Sequence, residues 1–259
     1  MRTSAQATAT RPVVVATPTN EFYSRMAYAC LAVAIIGFAP TYWIPLVTGR
    51  IDVAPILHLH AFVFYGWLTL LVVQSRLVAT RQITRHRAFG VLGVSWATAM
   101  CCVGIAAAVN SIKQSDVAGF GDAARAFSVV PITGIFFFAA LFAIALIKVK
   151  RTDVHKRLIL IATISLLNAA VGRLFILAIG ATPPSATVAP PPVLVTIPAG
   201  LIADLLLVPA LLHDRKHLGH VHPAYWIGGA ALLASQFLRV PISHTAAWHR
   251  IAQGFVDLL

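Results

Sequence analysis

Seven predominantly apolar stretches, roughly 26–48, 53–79, 87–110, 127–149, 156–180, 192–212 and 223–243, divide the chain almost from end to end. A helix rises about 1.5 Å per residue and a bilayer's hydrocarbon layer is about 30 Å thick, so about 20 such residues suffice for one crossing. The pattern predicts an all-α polytopic bundle of about seven transmembrane helices. Composition points the same way: 59% of the residues are hydrophobic and 11% are charged, against about 25% charged in an ordinary soluble domain. A water-soluble surface needs more polar side chains than this chain owns. We expect a disordered cytoplasmic tail over 1–25, one helical bundle over 26–243, and a short interfacial segment over 244–259.

The formal net charge of +12 is not spread along a stripe or tail. Arg76, Arg81, Arg85 and Arg87 flank the second turn, Lys148, Lys150, Arg151, Lys156 and Arg157 the fourth, and Arg215 and Lys216 the sixth. The other side holds chiefly Arg50, Lys113, Arg125 and Arg250. By the positive-inside rule the basic turns are cytoplasmic, which places the N-terminus inside and the C-terminus outside, as for a multi-pass protein of a bacterial inner membrane. No nucleic-acid reading attaches to this charge, because no recognition motif or aromatic platform accompanies it.

Of the outer loops, one runs from Lys113 to Arg125 and the other, from Ala181 to Pro192, is rich in proline. After the last span, Trp248, Ile251, Phe255 and Leu258 recur at helical spacing opposite His249, Arg250 and Gln253, which suits a short amphipathic helix at the outer face. Cys30, Cys101 and Cys102 lie inside apolar stretches and form no CxxC pattern, so packed thiols are expected rather than disulfides.

Aligning the basic turns reveals a threefold repeat. RQITRHRAFG places His86, KRTDVHKRL places His155 and DRKHLGHVHPAYW places His222 at the start of an ascending helix, separated by 69 and 67 residues. Three imidazoles at one depth are the expectation. The partial positive charge of a helix N-terminus disfavours a protonated ring, and a neutral ring is what iron or zinc requires. His86, His155 and His222 could therefore hold a transition metal, or two of them the iron of haem b; the plainer alternative is polar residues at headgroup level. Beside His222, the run His213, His217 and His220 could bind a metal, but reads more simply as solvated surface.

On the opposite side, His58 and His60 open the second span in HLHAFVFYGW, and at that spacing only one can face inward. His60 is chosen, because Phe64 and Trp67 continue its stripe; His244 and His249, on the same side, are conceivable partners. Charges within a span cost at least about 2.5–3.5 kcal/mol at the bilayer centre and normally face protein or water. Asp204 and Arg173 lie at depths that allow an ion pair, with Arg239 and Gln236 close to the same level. Arg173 and Arg239 are candidates for holding haem propionates, and Arg157 joins His60, His86, His155 and Arg173 as a candidate cofactor-binding residue; Asp204 and Arg173 could instead line a proton or anion path. Gln74, Asn110 and Asn168 read as interhelical hydrogen-bonding residues. No Walker loop, GxSxG elbow, HExxH or kinase signature is present, and no catalytic residue can be named.

The inward histidine of the second span, His86-Arg87 followed by Gly90, His155 to Leu158, Arg173, Gly219 to Pro223 and Arg239 together resemble a group of multi-spanning bacterial membrane proteins without an established activity. The similarity covers roughly residues 53 to 250. More distantly, histidines at the cytoplasmic ends of the third and fifth spans resemble the ligand placement of cytochrome b561-type haem proteins. The fourth span here has no histidine, a departure that bears on any second haem between the second and fourth helices. The expected function is thus a membrane protein binding haem b or a metal, a redox component working with quinone or a larger membrane complex. The alternatives are a small-solute transporter or channel using Asp204 and Arg173, and an accessory subunit of a larger complex.

Overall fold

Proline placement decides where the long apolar helices bend. Proline has no N–H to bond the carbonyl four residues earlier. Pro40 sits in a π-turn (Ala39–Trp43) that follows α1 (Pro18–Phe38) and leads into α2 (Ile44–Val47). Pro131 leaves the carbonyl of Phe127 without its helical donor, and the joint between α5 (Gly121–Phe127) and α6 (Val129–Ile147) falls there. Pro209 does the same to Leu205, at the joint between α9 (Thr196–Asp204) and α10 (Leu207–Leu218), where tighter bonds from Leu205 N–H to Ile202 O and from Leu206 N–H to Ala203 O replace the α pattern. The remaining helices are α3 (Pro55–Ala79), α4 (Ile83–Val117), α7 (Thr152–Leu166), α8 (Asn168–Ala178), α11 (Pro223–Ser243) and α12 (Ala246–Leu258).

This computed structural model describes residues 18–181 and 188–259, and no strand is formed among them. Residues 1–17 of the expected tail and 182–187 of the proline-rich loop lie outside the described residues. The helix begins earlier than the expected tail allows, because residues 21–25 already pack. Phe22 stacks on His213 with ring centroids 4.0 Å apart, and Ser24 is buried.

Six continuous segments are long and apolar enough to cross a membrane: Glu21–Val47, Pro55–Ala79, Ile83–Val117, Gly121–Ile147, Thr152–Ala178 and Val193–Leu218. They define a helical membrane protein. The helix expected over 223–243 forms as α11 but is not among the six; Gln236 and Arg239 interrupt its apolar run. Thr152–Ala178 is the central segment, with half of its most apolar stretch buried, against a sixth to a third in the others. Its inner face, from Arg157 to Val171, is enclosed by the other helices.

Without a hydrophobic drive between helices in lipid, close approach depends on small residues and dispersion contacts. Gly37 on α1 meets Ala170 on α8 so closely that a Cβ there would stand 2.6 Å from the Ala170 carbonyl oxygen. Gly228 on α11 likewise accommodates Ile161 of α7. Of the cysteines, Cys30 is packed and Cys102 is exposed.

The amphipathic C-terminal segment is helical, as α12, and it docks on protein. Trp248 and Ala252 are buried, and the Trp248 indole N–H donates to the Arg125 carbonyl at 2.9 Å. Thr245 caps the helix by accepting from Trp248 N–H at 3.1 Å. Thr245→Ala should cost about 1 kcal/mol of local stability, seen as roughly fivefold faster amide exchange confined to α12; unchanged exchange there would show that docking alone holds it.

Candidate functional site

Polar residues inside the bundle collect at two levels. At the end that carries the basic turns, Arg157 on the central helix is almost fully buried and grips Asp214 of α10 with two donors, Nε to Oδ2 at 2.8 Å and Nη2 to Oδ1. Its Nη1 donates to the Asp153 carbonyl at 2.6 Å. Every nitrogen of this guanidinium is thus engaged within the chain. Arg157, a cofactor-binding candidate in the sequence, anchors α7 to α10.

Asp214 also accepts the His222 backbone N–H at 3.2 Å, which ties the α10–α11 turn to the pair. That turn exists because Gly219 adopts φ +76°, a left-handed helix stop that suits glycine. His222 then serves as the N-cap of α11. Its Nδ1 accepts from Ala224 N–H at 3.1 Å and its Nε2 faces Asp153 Oδ2 at 3.1 Å. An Nδ1 that accepts leaves the proton on Nε2, so no lone pair of this ring remains for a metal. The expected trio of His86, His155 and His222 shares one end of the bundle, but its third member is committed to capping. Nearby, Tyr23 and Tyr225 join through their hydroxyls at 3.2 Å, and His213 stacks between Phe22 and His217.

His86, in the first turn of α4, and His155, in the first turn of α7, lie at the same end of the bundle, near enough for the charge of one to act on the other. His155 Nδ1 lies 2.9 Å from the Ala145 carbonyl, which can only accept, so Nδ1 carries the proton and Nε2 keeps its lone pair. Across from it, His86 Nδ1 and Gln74 Oε1 are buried and have no hydrogen-bond partner. Each ring thus keeps one nitrogen that no group of the chain uses, Nε2 in His155 and the buried Nδ1 in His86, which is what a metal-binding imidazole must offer. Among the described residues no three His, Cys, Asp or Glu side chains come together to hold a metal ion.

The second level lies toward the other end. His60 is the inward histidine: it stacks on Phe64 at 4.1 Å, with Nδ1 buried and unpartnered, whereas His58 bonds the Tyr42 hydroxyl at 2.9 Å. His244 is exposed and His249 turns to the Ser243 carbonyl, so neither approaches His60 through a bond. Arg173 lies beside His60, its guanidinium 5.0 Å from the Phe38 ring centroid, with Nε buried and unpartnered. The expected ion pair between Arg173 and Asp204 is absent. Arg173 faces α1 and α3, while Asp204 accepts from Gln236 on α11 at 3.0 Å. Arg239 donates to Thr133 of α6 at 2.9 Å, with Asp204 near enough to attract it. Asp204 Oδ1, Gln236 Oε1, Asn110 Nδ2 and Asn168 Nδ2 are buried without partners. The interhelical bonds expected of Asn110 and Asn168 do not use these amide nitrogens.

Between the π-turn (Ala39–Trp43), α3 and α4 a groove of about 590 Å³ runs from the Tyr42–His58 pair past Tyr65 and Trp96 to Phe89. Its walls are almost wholly apolar. The polar edges of its aromatic residues are already used: Tyr65 donates to the Ala34 carbonyl, Trp43 donates to Tyr65, and Trp96 donates to the Val63 carbonyl.

The residues that sequence reasoning underweighted are Asp214 and Gln74. Asp214 is the lone carboxylate of the DRKH turn, and a single acid in so basic a turn is a signal for a buried pair. No family model, curated protein or solved structure matches the chain. The class defined by fold and site is therefore a helical membrane protein with two histidine-containing interior clusters.

Proposed function

We propose that this chain is a redox membrane protein holding haem b, or failing that a transition metal, through His86 and His155, with its basic end in the cytoplasm of a bacterial cell and α11 as a seventh crossing. The observation that carries the reading is the His155 ring, oriented by the Ala145 carbonyl so that its Nε2 lone pair is free, with the buried, unpartnered Nδ1 of His86 at the same end of the bundle. Haem suits this set better than a bare ion. A porphyrin supplies four of iron's ligands and asks the protein for two, whereas an ion held by two imidazoles still lacks ligands. When bound, haem supplies one-electron transfer. His155 and His86 are the residues to hold it, and the exposed Arg87 beside His86 adds positive charge at that end. A quinone or an attached membrane complex fits as electron partner, and the lateral aromatic groove supports access from the bilayer.

The test is an absorbance spectrum of the purified full chain before and after dithionite. A Soret band with an α-band that sharpens on reduction is expected. His155→Ala and His86→Ala should abolish both bands, while His222→Ala should leave them, since that ring caps a helix. Absence of these bands together with absence of stoichiometric metal would remove the proposal.

A second reading, transport of a small solute, is favoured by the helix break that Pro209 imposes next to Asp204, whose Oδ1 is unpartnered. Interrupted helices beside an intramembrane carboxylate are how many transporters build a midplane site. Proteoliposome flux that survives Asp204→Asn unchanged would dismiss it.

A further inference from the structure

The chain has only eight side-chain carboxylates, and all of them lie in described parts of the structure. Glu21, Asp116, Asp122, Asp153 and Asp214 stand in ion pairs elsewhere. Asp204 and Asp257 accept from Gln236 and Gln253, and Asp52 is exposed in the loop before α3. None faces Arg173. This arginine is the one guanidinium that the central helix carries into the half of the bundle remote from the basic turns, and it has no counter-charge of its own.

Such an arrangement is expensive. A buried charge is tolerated when it is paired or reaches water. Arg239, at a similar level, has Asp204 nearby, whereas the titratable neighbours of Arg173 are His60 and Tyr65, neither of them an acid. Tyr65 already spends its hydroxyl proton on the Ala34 carbonyl. His60 and Arg173 each keep a buried nitrogen with no partner, and aromatic rings wall them in: Phe38 under the guanidinium, Phe64 against the imidazole. Low-polarity walls strengthen whatever charge interaction forms between them.

We infer that Arg173 and His60 form a binding site for an oxyanion, a phosphate ester or a carboxylate. The planar guanidinium offers paired N–H donors that match such a group, and His60 adds a donor when its proton sits on the buried nitrogen. Arg173 lies five residues before the end of α8 (Asn168–Ala178), about 8 Å along the axis. That depth is open both to an anionic lipid headgroup and to a soluble anion. The site is separate from the His86–His155 pair: His60 and Gln74, which neighbours His86, are fourteen residues apart on α3, about 21 Å. It stands whether or not haem binds there.

The experiment uses the delipidated full chain in a neutral maltoside detergent. One arm adds inorganic phosphate at constant ionic strength; the other adds phosphatidylglycerol, with an uncharged galactolipid as control. The thermal unfolding midpoint and native mass spectra report binding. A ligand that binds only the folded state raises the midpoint in proportion to the logarithm of its concentration. We expect a rise with at least one of the two anions, none with the galactolipid, and at least tenfold weaker binding in both Arg173→Gln and His60→Phe. A response to phosphatidylglycerol alone assigns a lipid headgroup, and a response to phosphate alone assigns a soluble anion. Should Arg173→Gln fail to fold, Arg173→Lys, which keeps the charge and loses the planar fork, is expected to weaken binding while leaving the protein folded. No response of the wild-type chain to either anion, or an undiminished response in the folded variants, overturns the inference.

Discussion

Asp214→Ala is expected to destabilise the protein by about 3–5 kcal/mol, because it leaves the Arg157 guanidinium buried without its counter-charge. The side chains are 4% and 1% exposed, so solvent cannot take the carboxylate's place. Two further effects add to the loss. Asp214 also receives the His222 N–H, so the turn into α11 loosens with it. The same turn presents His222 to Asp153 from outside the bundle. The charge-free double replacement Arg157→Met with Asp214→Leu should recover most of the stability, since neither desolvated charge remains. Reversible unfolding in mixed detergent micelles measures both. If the single and double variants were equally unstable, packing at this position and not the charge would be the cause.

Trp67→Ala is expected to cost a similar amount, about 3–5 kcal/mol, by a different route. Trp67 sits on α3 against the central helix, 4% exposed, and its indole N–H donates to Thr163 Oγ1 at 3.2 Å. The rings of Phe138 and Phe142 meet it edge to face at centroid distances of 5.1 and 5.4 Å. Inside a bilayer, lipid tails are as apolar as the core, so what truncation removes is contact, and a void left in close-packed side chains has no partner atoms. Trp67→Phe should keep part of the packing, lose the bond to Thr163, and fall between the two. A loss under about 1 kcal/mol in Trp67→Ala would mean that neighbouring helices close the gap, which a core of this density resists.

The two effects set apart what stabilises this bundle from what it does. Arg157, singled out in the sequence as a cofactor residue, turns out to be a strut. Its partner lies 57 positions away in the chain, and nothing in the local pattern specifies that pairing. Arg173 and Asp204 show the reverse. Their depths were readable by counting residues along a helix, yet depth does not specify azimuth. Rotation about the helix axis turned Arg173 toward Phe38 and His60 and Asp204 toward Gln236.

Sequence alone determined the helical class, the membrane environment and the location of the long apolar helices. Each follows from a one-dimensional quantity, how many apolar residues fit across a bilayer. It also brought His86, His155 and His222 to one end, because hairpins of nearly equal length repeat a depth. Only the tertiary structure decided what those rings do. His155 is turned by a carbonyl on α6, His86 keeps a buried, unpartnered Nδ1 on α4, and His222 is claimed by the first turn of its own helix. The physical reason is that hydropathy acts along the membrane normal, whereas hydrogen bonds and side-chain packing act around each helix axis.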